Sequence, residues 1–235
     1  MALLGFPLYH GTSTLFLESI AKHGLGGRDP VKELRVVECA LRLLPVAESL
    51  VKDSPYLEVN LPTFQRMAEQ SKTGFNFQHG QTYLSPAIST VIRYAVNNVK
   101  GSEIISYTLK VIDELIRLGK GEVGKMLHRE FPALLSLVKT QAAPVLLRLN
   151  NVDEVSLSSE KGECAASQLD FIRNTLVECP ESGAELFQQE NFRLIHPLPT
   201  SKITAYLISV RRYHAITPDY CLLPITLDPL PAPTA

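Results

Sequence analysis

The sequence predicts an α+β protein. Strand-like runs, short and apolar or alternating, lie near both ends of the chain, while most of the stretch between them has the 3.6-residue periodicity of helices. Strands and helices do not alternate unit by unit, as a doubly wound parallel sheet requires. The 235 residues are 45 % apolar and 20 % charged, which is enough to bury a sizeable core and too apolar for a disordered chain. A formal net charge of −1 gives no field that gathers polyanions, so non-specific nucleic-acid binding is not expected.

Leu3–Tyr9 reads as a buried strand, broken by Gly5 and Pro7 and ending at Gly11. Thr12, Ser13 and Thr14 are each able to cap the helix that Leu15, Phe16, Ile20 and His23 then outline, with Gly24 in the closing position. Residues 31–72 are helical by periodicity, with a kink or break at Pro45, and 73–82 read as a loop. Tyr83-Leu84 is a strand end, and Ser85-Pro86 predicts an N-cap and first-turn proline for the helix carrying Ile88, Val91, Ile92 and Ala95. Ile105, Tyr107, Leu109 and Val111 alternate with polar residues and predict a strand. Residues 112–140 are helical with a break over Gly119–Gly124. Pro144–Leu149 is a strand that Val152–Leu157 continues, Gln168–Leu176 a helix, and Phe192–Ile195 and Ile203–Arg211 strands.

No internal repeat appears. Residues 1–216 are expected to form a single catalytic domain with a helical insertion at about 28–72, and 217–235, with five prolines, a Pro-rich irregular tail. No apolar run approaches the roughly 20 residues that span a bilayer, and the start lacks the basic region of a secretory leader. Cys39, Cys164, Cys179 and Cys221 form no Cys-x-x-Cys pair, so reduced thiols in a cytoplasmic protein are expected, with no metal. The phosphate loop, the dinucleotide fingerprint, the paired-histidine zinc helix and the nucleophile elbow are all absent. Asp113-Glu114 and Asp153-Glu154 read as solvated pairs, and Arg211-Arg212 as a solvated strand end.

What remains is a polar cluster at element ends. His10 stands next to a glycine that allows close approach to the backbone, and Tyr83 and Ser85 flank the mouth of a helix. Aromatic and hydroxyl groups placed there suit a flat, amide-bearing ring. Tyr9-His10-Gly11-Thr12, the helix ending at Gly24, Thr82-Tyr83-Leu84-Ser85 followed by Tyr94-Ala95, and Glu190 ahead of two late strands resemble the ADP-ribosyltransferases of the poly(ADP-ribose) polymerase and diphtheria-toxin type.

That resemblance covers the first 25 residues, 80–110 and 187–211. It implies a split antiparallel β-sheet core with inserted helices and NAD⁺ as co-substrate. His10 is then the ligand of the adenosine-side ribose, the Gly11 backbone that of the nicotinamide carboxamide, and Thr12 the support of that turn. Tyr83 stacks on the nicotinamide ring, Ser85 bonds the carboxamide, and Glu190 holds the nicotinamide-ribose 2′-hydroxyl, so that His10, Tyr83 and Glu190 form the catalytic set. For the acid, Glu185 stays open beside Glu190, and Gln188-Gln189-Glu190 also reads as a Gln-x-Glu motif in which Gln188 orients the acceptor.

The implied activity is mono-ADP-ribosyl transfer to a macromolecule, protein rather than nucleic acid, as in bacterial toxins and effectors that work in a target-cell cytosol. Whether an inhibitor or antitoxin partners it stays open, and no membrane partner is expected. The alternatives are a non-catalytic NAD- or partner-binding module, an RNA 2′-phosphotransferase, disfavoured because no arginine adjoins His10 or Tyr83 in sequence, and a helical interaction protein working through 31–72 and 122–139.

Overall fold

The structure, a computed structural model, describes residues 3–70, 80–180, 183–214 and 216–227. In chain order, β1 (Leu8–Ser13) leads through a 3₁₀ turn into α1 (Leu17–His23), followed by α2 (Pro30–Glu33), α3 (Val36–Ser49) and α4 (Pro55–Ala68). Then come β2 (Tyr83–Leu84), α5 (Ile88–Asn97), α6 (Glu103–Arg117), α7 (Gly121–Glu130) and α8 (Pro132–Lys139). The chain closes with β3 (Pro144–Leu149), β4 (Leu157–Ser159), α9 (Ala166–Glu178), β5 (Phe192–Leu194), β6 (Ile203–Arg212) and β7 (Asp219–Ile225). Both sheets are antiparallel, and the class is α+β.

Two compact units result. One comprises Met1–Arg28, Gln81–Gly101 and Ala142–Ala235, the other Asp29–Gly80 and Ser102–Gln141. The helical insertion expected at about 28–72 falls in the second unit, which takes in 102–141 as well.

In the first unit the four-stranded sheet has the order β1-β3-β6-β7 and the three-stranded sheet β2-β5-β4. They touch at one bridge: Tyr9 N–H donates to the Ser85 carbonyl at 2.8 Å, and Ser85 N–H to the Tyr9 carbonyl at 2.9 Å. Leu8, Leu147 and Leu149 from the larger sheet share one buried cluster with Leu84, Phe192 and Leu194 from the smaller. The opposite face of the larger sheet is covered by α5, whose Val91, Ile92 and Ala95 pack on Leu146 and Ile208. Gly11 admits that helix, for a Cβ there would stand 2.9 Å from the Val91 carbonyl oxygen and 3.1 Å from Ala95 Cβ.

Four element assignments differ from the sequence reading. β1 runs through Gly11 to Ser13, whose hydroxyl accepts from Leu15 N–H at 3.3 Å and caps the turn beyond. Helix α5 starts at Ile88 rather than after Ser85, because the bridge to Tyr9 keeps Ser85 extended; the Ser85 hydroxyl accepts from Ala87 N–H instead. Residues 105–111 are helical within α6, where Ile104, Ile105, Thr108, Leu109, Ile112 and Leu115 make one buried stripe at helical spacing. The two-residue alternation of that run was incidental to it. Of the strand expected at 152–157, Glu154–Ser156 is a 3₁₀ turn capped by Asp153, and β4 begins at Leu157.

The tail assignment is also corrected. Asp219–Ile225, placed in the irregular stretch 217–235, pairs with β6 as the outer strand of the larger sheet. An edge strand tolerates Pro224, since one side of its backbone has no ladder to complete. Residues 228–235 lie outside the described residues, as do His79 and most of the loop expected at 73–82.

In the helical unit α6 packs against α3, α4, α7 and α8. Glu114, read as solvated, is only 12 % exposed at its side chain. It accepts from the Ser54 hydroxyl and from Arg117 at 2.6 and 2.7 Å, and these bonds hold its carboxyl down at about 2. Ser54 also caps α4 by accepting from Leu57 N–H at 3.2 Å.

Candidate functional site

The bridge between the sheets gathers three segments that are remote in sequence. On β1, His10 projects from the face that carries Leu8, and its Nδ1 lies 2.8 Å from the Tyr83 carbonyl oxygen. A carbonyl only accepts, so Nδ1 bears the proton and the neutral ring keeps its lone pair on Nε2. Burial lowers the His10 pKa, and the bond to Tyr83 opposes that only in part.

Gly11 follows from the same pleat. Tyr9 exchanges both backbone bonds with Ser85, so by strand alternation Gly11 also directs its N–H and carbonyl away from β3. Beyond Ser85 the chain turns off toward α5, and neither Gly11 group has a backbone partner on that side among the described residues. A donor and an acceptor thus stand together on one edge, the pattern a primary carboxamide completes. Thr12, nearly buried, lies on the His10 face opposite Val145.

Ser85 is buried, and its hydroxyl donates to the Glu190 carbonyl at 3.2 Å. The late acidic segment is therefore fastened to the mouth of α5. Thr90 strengthens the attachment by donating to the Gln188 carbonyl at 3.0 Å. Glu185 accepts from the Ser89 hydroxyl and, at 3.4 Å, from Ser89 N–H, in the first turn of α5. Glu185 is thus engaged at a helix start. Glu190 accepts from Gln168 Nε2 at Oε2, 3.2 Å away, and Oε1 has no hydrogen bond among the described residues.

Tyr83 presents its side chain on the face of the small sheet away from the core. Directly beside it in the ladder is Arg193, and beside Arg193 is Ser158. The absence of an arginine next to Tyr83, true of the sequence, fails in three dimensions. Burial raises the Tyr83 pKa, the nearby Glu160 carboxylate adds to this, and the Arg193 charge opposes it. The Tyr83 hydroxyl and the Ser158 Oγ are buried with no hydrogen-bond partner. Each such orphan costs roughly 1–3 kcal/mol. Arg193 and Ser158 escaped the sequence reading because nothing in their spacing reveals the strand register that aligns them.

The other candidates stand apart. His128 is exposed on α7, His196 is exposed after β5, and the His214 ring accepts from the backbone of Ile216 and Thr217 in a hairpin loop. Arg211 and Arg212 are exposed at the end of β6. Cys39 is buried with its thiol pushed up to about 12 by desolvation, which leaves it an inert core group. No helix among the described residues is long and apolar enough to cross a membrane. No family model, curated protein or solved structure matches this chain.

Proposed function

We propose that the chain is an NAD⁺-dependent mono-ADP-ribosyltransferase acting on a macromolecular, preferentially protein, acceptor in a cytosol. The observation that carries this is the edge at Gly11: a backbone donor and acceptor with no backbone partner among the described residues, flanked by His10 and by the Ser85 clasp that brings Glu190 to the same bridge. The two sheets joined at Tyr9 and Ser85 accord with the split-sheet core of that enzyme class.

In this reading the Gly11 backbone receives the nicotinamide carboxamide, and Nε2 of neutral His10 accepts from a hydroxyl of the adenosine-side ribose. Tyr83 lies against the nicotinamide ring. Ser85, its hydroxyl engaged with Glu190, holds the acid in place as well as bordering the carboxamide. The Glu190 Oε1 accepts from the nicotinamide-ribose 2′-hydroxyl. When the C1′–N bond breaks, its electron pair leaves with neutral nicotinamide and positive charge develops at C1′. A carboxylate fixed beside that carbon lowers the barrier more than it stabilises the bound ground state. The acceptor nucleophile then bonds to C1′ and gives up its proton.

Incubation with NAD⁺, following nicotinamide release, tests this. Release is expected from the wild type and should fall in His10→Ala, Tyr83→Ala and Glu190→Ala. Binding of NAD⁺ without release identifies a non-catalytic module, and loss in His10→Ala with retention in Glu190→Ala shifts the acid to Glu185. Arg193 beside Tyr83 supports a second reading, RNA 2′-phosphotransfer, which predicts NAD⁺-dependent loss of the phosphate from a 2′-phosphorylated oligonucleotide.

A further inference from the structure

Across the outer face of the small sheet, Tyr83 on β2, Arg193 on β5 and Ser158 on β4 occupy one row, each directly opposite the next in the ladder. Arg193 is half-buried and makes no ion pair or side-chain hydrogen bond with any described residue. Ser158 is 4 % exposed, and its hydroxyl, like that of Tyr83, is enclosed without a partner.

The turn after β4 comes up against the row. Ser159 N–H donates to the Glu163 carbonyl and Gly162 N–H to the Ser159 carbonyl, both at 2.9 Å. Gly162 adopts φ +88°, and a Cβ there would lie 3.6 Å from the Arg193 Nη2, so the guanidinium rests against this turn. Glu160 on the same turn does not bond the Tyr83 hydroxyl.

All three groups of the row are able to donate hydrogen bonds, and none has an acceptor among the described residues. Two hydroxyls flanking a fixed guanidinium lack the same thing, an oxygen-rich anion, and a tetrahedral oxyanion offers an oxygen to each. We propose that Arg193, Tyr83 and Ser158 form a subsite for a phosphoryl group. The subsite stands on its own geometry. Two sources of such a group are distinguished by test: the pyrophosphate of NAD⁺, an assignment that rests on the function proposed above, and a phosphate carried by the acceptor.

Calorimetric titration of the full chain with inorganic pyrophosphate, inorganic phosphate and NAD⁺ decides the matter, on wild type, Arg193→Gln, Arg193→Lys and Ser158→Ala, with circular dichroism verifying that each variant is folded. Binding of pyrophosphate or phosphate should weaken with added salt, fall about 10-fold or more in R193Q, and be partly retained in R193K. If NAD⁺ affinity falls in parallel, the group is the dinucleotide's pyrophosphate. If NAD⁺ affinity is unchanged while anion binding is lost, it is the acceptor's phosphate. Anion binding that depends on Arg193 in a protein that ignores NAD⁺ keeps the subsite and removes the NAD⁺ reading. Equal anion affinity in wild type and folded R193Q, or no anion binding to the wild type, overturns the subsite even if NAD⁺ binds.

Discussion

His10 and Glu190 show how single groups acquire their roles from neighbours. The Tyr83 carbonyl fixes the proton of His10 on Nδ1, and burial disfavours a second proton. Because the folded protein holds the His10 pKa below its ordinary value of 6.5, the unfolded chain takes up the proton first as pH falls. The stability that neutral His10 supplies is present above that value and is lost as pH falls through the folded pKa. Thermal unfolding of wild type and His10→Gln between pH 7.5 and 5 should therefore show the wild-type advantage shrinking toward acid; an advantage that grows toward acid contradicts the assignment. In the proposed reaction Glu190 supplies the carboxylate, and the bond from Gln168 Nε2 orients it. Glu190→Ala should lose about 100-fold or more in nicotinamide release. Gln168→Ala should lower kcat less than that while leaving KM for NAD⁺ nearly unchanged, and a rise in KM alone would show that Gln168 does not act through Glu190.

Among the elements, β1 and α5 approach each other closely at Gly11. Gly11→Ala would push a methyl into the Val91 carbonyl and Ala95, and overpacking of this kind costs roughly 1–3 kcal/mol. A lower melting temperature together with weaker NAD⁺ binding is expected, and an unchanged melting temperature would show that α5 moves freely away. In the helical unit, Ser54 caps α4 and donates to Glu114, whose carboxyl is held at about 2. Ser54→Ala removes both bonds and should destabilise by roughly 1–2 kcal/mol at neutral pH. A group depressed in this way supports the fold above the ordinary value of 4.5 and loses that support as pH falls through about 2. The Ser54→Ala deficit should accordingly narrow at low pH in denaturant titrations. The outer strand β7 hides the ladder edge of β6, so a chain ending at residue 217 should aggregate where the full chain stays dispersed, as light scattering would reveal.

Across the molecule, strands and helices with one dominant pattern were legible in the sequence. Pro144–Leu149 is apolar at nearly every position and is β3 with those bounds, and α1 ends where Gly24 takes positive φ. Less legible were the stretches where two patterns overlapped. Residues 105–111 alternate, yet they also complete a helical stripe that only burial against α3 and α4 selects. β7 was hidden by Pro224 and by the prolines on either side of it; an edge position tolerates Pro224. The local motifs His10-Gly11 and Tyr83–Ser85 stand out in one dimension, whereas the contacts joining them to Glu190, and the row through Arg193 and Ser158, depend on sheet register between segments remote in sequence. The cleanest trial of the proposed NAD⁺ site is nicotinamide release by the purified chain supplied with NAD⁺. The site described here predicts release that falls about 100-fold or more in Glu190→Ala. Absence of release, together with no shift in melting temperature on adding NAD⁺, would contradict it.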